Sequence, residues 1–426
     1  MRPRASGYES GVMRFLVLVV LVPTLLLAAT TSRAEASTRV QFGIQDDAWL
    51  EFGPGKLSDR VAEISRLGLD AVRITVHWDQ VETAPGVFRW NRPDKLLEAL
   101  HARGLDPVVT LWGTPGWANG DAGPNVAPTN GADFTEFARE AALRYGYVKR
   151  WVMWNEPNKP IWLKPASPET YVRQILNPGY RGIKAVSRKD LVAGGVTAPR
   201  AGQGGVSPVD FIQRMDRAGA LLDVYAHHPY PVYAGDTPFT GGCTCKTITM
   251  ASLDRLIALV GKAFPSARIW LTEYAYQTKP PDPFGVSWAK QAQYVGEAAR
   301  RVYLAPKVDL LIHYLYRDEP DLARFQSGLE TISGKIKPSR AAMMLPLAQA
   351  SRTGSRVSLW GQVRPGTGPQ RYVIQRLSGS RWIAVGGSRT TSVRGYFTVA
   401  VVAPKGTHFR ISYPAGHATS PDLVVR

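Results

Sequence analysis

Apolar positions follow two textures that change near residue 350. From about Gln41 to Ala350, short apolar runs alternate with stretches of helical period. The runs are VQFGI, LDAVRITVHW, LDPVVTLWG, YVKRWVMWN, DLVAGGV, LLDVYAHH, ARIWLTEY and VDLLIHYLY. They are rich in Val, Ile and aromatic residues, and several are unbroken rather than alternating. Unbroken runs suit a parallel sheet buried on both faces. Eight strands, each followed by a helix, predict a TIM (β/α)8 barrel over residues 37–350. The competing architecture is a doubly wound open sheet. It would carry a glycine-rich phosphate loop after its first strand, and GIQDDAWLEFGPG is not one.

Helix ends are legible between these runs. Ser58 is expected to cap DRVAEISRLG, in which Val61, Ile64 and Leu67 share a face. Pro93 falls in the first turn of PDKLLEALHARG, which stops at Gly104. Ser167-Pro168 and Ser207-Pro208 each read as an N-cap followed by proline at the first helical position. Ser252 or a near neighbour starts LDRLIALVGKAF, and Lys337-Pro338 opens the last helix.

The tail reads differently. RVSLWGQV, QRYVIQRL, RWIAVGG, GYFTVAVV and HFRISYP are short strands split by Gly, Ser, Pro and Thr. They predict a small all-β sandwich over residues 355–426. It would serve either as a stabilising cap or as a sugar-binding module. The lack of a row of exposed-type aromatics favours the cap.

The start is different again. Arg2, Arg4 and Arg14 accompany FLVLVVLVPTLLLAAT, and Ala34-Glu35-Ala36 follows. A basic start, an apolar centre and an A-x-A pattern predict a signal peptide over residues 1–36 and a secreted, extracellular protein. An uncleaved anchor is the alternative, though the run is short for a span and contains Pro23. No later stretch is apolar enough to cross a bilayer, so no stable membrane span is expected after signal removal.

Composition narrows the partners. A chain of 426 residues has room for two or more domains. With 44% hydrophobic and 20% charged residues it belongs with folded rather than disordered chains. The net charge of +18 is spread along the chain without a dense block or nucleic-acid motif, so no nucleic acid is expected as partner. A basic exported protein could favour an anionic polymer or surface, or the charge could be general background. Cys243 and Cys245, in GGCTCKT, are too few for a structural zinc site. They are either a small bridge bracing a loop or two free thiols.

Barrel enzymes carry their chemistry at the C-terminal ends of strands. Those ends hold Trp78, Trp112, Glu156, His227 and His228, Glu273, and Tyr314 and Tyr316. In Trp154-Asn155-Glu156-Pro157 the proline could simply stop a strand among turn residues. Glu273, however, ends the seventh run, and the fourth and seventh strands face each other across a barrel mouth. Two carboxylates flanking a glycosidic bond are what glycoside hydrolysis needs, one protonated and one ionised.

With these residues the chain resembles the retaining glycoside hydrolases of clan A, roughly from Gln41 to Asp318. Its Asn-Glu-Pro-Asn is similar to that of the β-xylosidase/iduronidase-type and cellulase-type families. The resemblance implies that Glu156 is the acid/base and Glu273 the nucleophile. It implies that Asn155 bonds the sugar 2-hydroxyl and that Arg73 keeps the nucleophile ionised. His228 and Tyr230, in HHPY, match a strand-six His-x-Tyr element whose tyrosine orients the nucleophile. WDQVETAPGVFRW matches a strand-two loop of the clan, and its Glu82 is read as structural. Trp78, Trp112, Trp117, Trp162 and Tyr230 are expected to line a sugar cleft, although each tryptophan singly also suits a core. One departure stands out. The clan commonly ends strand eight with a tryptophan under the reacting sugar, and here Tyr314 or Tyr316 stands there, with Tyr316 taken as substrate-binding. The expected protein is an exported glycosidase needing no metal and no cofactor, acting on a glycoside, oligosaccharide or polysaccharide. A transglycosidase on the same residues and a non-catalytic carbohydrate-binding barrel are the rivals. A binding protein has no need of the carboxylate pair.

Overall fold

The computed structural model describes Ser37, residues 39–243 and residues 245–426, with Met1 and Gly7 as isolated positions. The signal-peptide reading therefore falls outside the described residues. All eight expected runs contain strands: β1 (Gln41–Gln45), β2 (Ala71–His77), β3 (Asp106–Trp112), β4 (Arg150–Met153), β5 (Leu191–Thr197), β6 (Val224–His227), β7 (Arg268–Tyr274) and β8 (Val308–Tyr314). They pair in parallel in chain order, and β8 closes onto β1. The open-sheet alternative is excluded. Gly43 shows how tight the closure is. A Cβ there would sit 2.5 Å from the Ala71 carbonyl oxygen of β2 and 2.5 Å from Ile312 of β8.

The barrel interior is filled by side chains that include Ala71, Val108, Val152, Val224, Trp270 and Ile312. A second apolar layer lies between strands and helices, with Ile64, Leu97, Phe134, Phe137, Ile183 and Phe211 fully buried. This is why the strands read as unbroken apolar runs: both faces are covered. Register sets the mouth. Gln45 pairs laterally with Arg73 on one side and Tyr314 on the other.

The helix ends mostly follow the sequence pattern. Ser167 and Ser207 accept hydrogen bonds from the N–H groups of Thr170 and Asp210, each with proline next in sequence. Ser58 does not cap its helix, which starts at Leu57 after Lys56. The Arg60 guanidinium instead binds the carbonyls of Leu50, Gly53 and Gly55 and fixes the preceding turn. Among the described residues no helix is long and apolar enough to cross a membrane.

The tail forms two antiparallel sheets, beginning at Leu347 rather than Ser355. One contains β9 (Leu347–Thr353), β10 (Arg356–Gln362) and β13 (Tyr396–Val402); the other contains β11 (Arg371–Ser378), β12 (Arg381–Ala384) and β14 (His408–Tyr413). Strand β9 escapes the pattern because only its first two residues are buried and the rest is a polar edge. The sandwich core includes Val357, Leu359, Ile374, Phe397, Phe409 and Ile411.

The sandwich docks on the barrel through apolar surface, and Ala34–Arg426 form one compact unit. Trp360 and Tyr396 pack on Tyr303 of the last long barrel helix, with ring centroids 5.2 and 4.7 Å away. The Arg364 guanidinium stands 3.7 Å from the Phe42 ring centroid of β1 and donates to the Met343 carbonyl at 2.6 Å. Cys243 and Cys245 are bridged, in the loop after β6. Arg255 of the following helix holds the Cys245 carbonyl.

The docking surface makes a quantitative expectation. Trp360→Ala should cost about 3–5 kcal/mol, the range for emptying a buried aromatic site. Equilibrium denaturation of the full chain measures it. A loss below about 1 kcal/mol would mean that the rings between barrel and sandwich contribute little.

Candidate active site

The turn after β4 is built against local preference. Trp154 has φ 77° and Glu156 has φ 37°, in the left-handed region that non-glycine residues avoid. Such positions cost roughly 1–3 kcal/mol each and persist only where the surroundings dictate them. Here the surroundings are identifiable. Trp154 is fully buried, its N–H donates to the Leu111 carbonyl at 3.0 Å, and its indole N–H donates to the Trp162 carbonyl at 2.7 Å. The Glu156 carbonyl accepts from Lys159 N–H at 2.9 Å. Asn158, also fully buried, accepts from Ala198 N–H at 2.8 Å and donates to the carbonyls of Ala198 and Val206. It thereby ties the loop after β4 to the loop after β5.

Glu156 and Glu273 meet over the mouth. A carboxylate oxygen of each and a ring nitrogen of His228 all lie within 4.8 Å of one another. Arg73 donates to Glu273 Oε1 at 2.6 Å, and the Tyr230 hydroxyl donates to Oε2 at 3.1 Å. Arg73 is itself only 1% exposed, and it also donates to Thr110, to Gln45 and to Asn155 Oδ1, at 2.9, 2.7 and 2.9 Å. His228 Nδ1 lies 3.0 Å from Glu156 Oε1 and 3.5 Å from Glu273 Oε2, and Nε2 lies 3.1 Å from Thr272 Oγ1. Flanked by carboxylates, Nδ1–H donates, and Nε2 accepts the Thr272 hydroxyl proton.

Burial separates the titrating groups. It pushes the Glu156 carboxyl above its ordinary value, although Lys159 and Arg73 pull the other way. It lowers the His228 imidazole to about 3, so the ring stays neutral. Two carboxylates and an imidazole are also a donor set for a cation. The charge already present opposes one, because Arg73 pairs with Glu273 and the Lys159 ammonium stands 3.8 Å from Glu156 Oε2.

A cleft of about 880 Å³ opens above the pair. Gln45, Asp47, Thr75 and His77 give it a polar wall, while Trp112, Trp162, Tyr314 and Phe325 give apolar faces. The fold thus brings together Arg73, Asn155, Glu156, His228, Tyr230 and Glu273, and it sets Trp112 and Trp162 on the cleft wall. Trp78 is elsewhere. Strand β2 ends at His77, so Trp78 opens a short helix that turns its ring into the outer core against Phe134 and Phe137. Its indole N–H donates to Glu82, which is structural as expected, and Trp117 donates to the Glu82 carbonyl. Tyr316 is also a correction. It is 1% exposed, stacks on Trp49 and bonds Glu63, because its N–H and that of Arg317 are drawn to Asp46 and the chain turns outward. Tyr314 takes the cleft position.

The lining residues that escaped the sequence reading include Gln45, Asp47, His77 and Phe325. Gln45 and His77 end β1 and β2, so the strand-end rule could have found them. Phe325 comes from the irregular loop after β8 and packs on Tyr230 and Tyr314, which no periodicity foretells.

The chain is a closed (β/α)8 barrel with two carboxylates facing across its mouth, and comparison with known proteins agrees at the level of fold. No protein-family model matches the chain. Beta-glucosidase 40 of Arabidopsis thaliana is 29% identical over 121 residues, which span 24% of this chain and 22% of that protein. A GH39 enzyme from Xanthomonas axonopodis pv. citri is 17% identical with a TM-score of 0.59, covering 91% of this chain and 94% of that one. A family 39 glycoside hydrolase from the gut symbiont Bacteroides cellulosilyticus WH2 is 18% identical with a TM-score of 0.60, covering 87% and 82%. At these identities the likeness establishes the fold, that of clan A glycoside hydrolases.

The raised Glu156 carboxyl has a thermodynamic consequence. A carboxyl whose native pKa exceeds its unfolded value contributes stability at low pH that is lost as pH rises through the native pKa. Glu156→Gln removes that loss. It should raise the melting temperature at pH 7, and the gain should fade as pH drops toward the ordinary value of 4.5. A variant that melts lower than the native protein at pH 7 would contradict the burial account.

Proposed function

We propose that the protein is a retaining glycoside hydrolase with Glu273 as nucleophile and Glu156 as acid/base. The observation that carries this reading is the pair of buried carboxylates across the barrel mouth, one oxygen of each within 4.8 Å of the other, in unlike surroundings. Retaining enzymes hold their carboxyl groups about 5–5.5 Å apart, and inverting ones about 6.5–9.5 Å apart to admit a water. The short gap here favours direct attack. The glycosidase names borne by its relatives support the same class of substrate.

The steps follow from the contacts. Glu273, held through both oxygens by Arg73 and Tyr230, attacks the anomeric carbon. The bond to the leaving oxygen breaks, and that oxygen takes the proton of Glu156, which burial keeps available. Glu156, now ionised, removes a proton from water. The water oxygen attacks the same carbon, and the bond to Glu273 breaks. Asn155 is fixed through Oδ1 by Arg73, which leaves its amide N–H groups to donate to the sugar 2-hydroxyl. Trp112 and Tyr314 offer rings to the apolar faces of a sugar. The substrate is a glycoside, oligosaccharide or polysaccharide. Export of the enzyme rests on the basic and apolar pattern that leads to Ala34-Glu35-Ala36.

A screen of aryl glycosides identifies a substrate, and NMR of the first product then reads its anomeric form. Retention is expected, and inversion would refute the mechanism. Glu273→Ala should abolish nearly all turnover. Glu156→Ala should spare the first step for an activated aryl glycoside far more than for a natural sugar. Azide should rescue its second step and give a glycosyl azide of retained configuration, whereas with Glu273→Ala azide gives the opposite anomer. Equal behaviour of the two variants toward both substrates would overturn the division of roles.

A further inference from the structure

One wall of the cleft carries charge that the chemistry above does not use. Lys159 lies one turn beyond Glu156, and 3.8 Å separates its ammonium from Glu156 Oε2, longer than a hydrogen bond. That is its only ion pair among the described residues. Arg200, in the loop after β5, lines the same cleft, is exposed, and makes no ion pair among the described residues. The two cations share one support. Asn158, buried and immediately before Lys159 in the chain, clamps the strand-five loop that carries Arg200, at Ala198 and Val206. The Lys159 stem passes close to that loop: a Cβ added to Gly202 would lie 4.0 Å from Lys159 Cε. Holding both loops together fixes the backbone that carries the two charges before any ligand arrives, which lessens the ordering needed on binding.

The position of Glu156 says which part of a substrate meets this wall. Its proton goes to the leaving oxygen, so groups beside Glu156 face the departing half. Two cations lining one concave site, of which Arg200 makes no ion pair among the described residues, concentrate anions and strengthen their attraction over that in open water. We propose, building on the glycosidase reading, that Lys159 and Arg200 receive an anionic group, a carboxylate or sulfate, on the leaving half of the sugar substrate. The nucleophile side needs no such group, since Arg73 is already paired with Glu273.

The test uses pairs that differ only at the leaving end, where the aldonate gains a carboxylate and its sugar ring is open: cellobiose and cellobionate, lactose and lactobionate, maltose and maltobionate. The salt dependence and the cation variants separate charge from ring opening. Binding to the full chain is followed by calorimetry, and cleavage is measured alongside as kcat/KM. The aldonate of a recognised pair should be favoured by about tenfold or more at low salt. The preference should fall toward parity at about 0.5 M NaCl, where charges are screened beyond a few Å. Arg200→Ala and Lys159→Met should each reduce it, while Arg200→Lys should retain most of it. Cleavage without any preference for the aldonate overturns the anion receptor and leaves hydrolysis standing. Preferential binding of aldonates without cleavage keeps the receptor and removes hydrolysis. Neither binding nor cleavage in all three pairs overturns both.

Discussion

Arg73 carries a full positive charge at 1% exposure, and the mouth of the barrel is arranged around it. A lone charge in that position would be prohibitive, so every donor must be met. Its partners come from β1, β3, β7 and the turn after β4: Gln45, Thr110, Glu273 and Asn155. The ion pair with Glu273 therefore does two things. It gives the guanidinium its counter-charge, and it fixes the carboxylate that faces Glu156. Removing one partner of a buried pair typically costs about 3–5 kcal/mol, because the other charge is left uncompensated. Stability and chemistry are thus coupled through one contact.

The turn that carries Glu156 is the second constraint. Two residues, Trp154 and Glu156, adopt left-handed backbone on either side of Asn155. The buried indole of Trp154 and the amide of Asn158 hold that geometry through separate hydrogen bonds. The result is a largely buried carboxyl at the floor of the cleft, where burial favours its protonated form. A flexible turn could not keep two carboxyl groups close while giving them unlike surroundings. The backbone strain is therefore part of how the pair is kept unequal.

The sandwich contributes from a distance. Arg364 reaches to the ring of Phe42 in β1, the strand whose end supplies Gln45 to Arg73. The apolar rings of Trp360 and Tyr396 cover Tyr303 of the helix that precedes β8. None of the sandwich residues lines the cleft. It covers barrel surface that would otherwise meet water.

Much of this was legible in the chain. Unbroken apolar runs announced a sheet covered on both faces, and proline after serine marked helix starts, because both signals are local. The positions of Glu156 and Glu273 at strand ends were legible for the same reason, since a barrel puts such ends at one mouth. What the tertiary structure alone decided is which way a side chain turns once its strand has ended. Trp78 passes into the outer core and His77 faces the cleft because β2 stops between them. Tyr316 turns away and Tyr314 stays because Asp46, far off in sequence, captures the backbone beyond β8. Phe325 reaches the site from a loop without period, and Arg73 finds its partners on four different elements. Periodicity reports the face of a regular element, whereas these outcomes depend on contacts between residues distant in the chain, which only the closed barrel brings together.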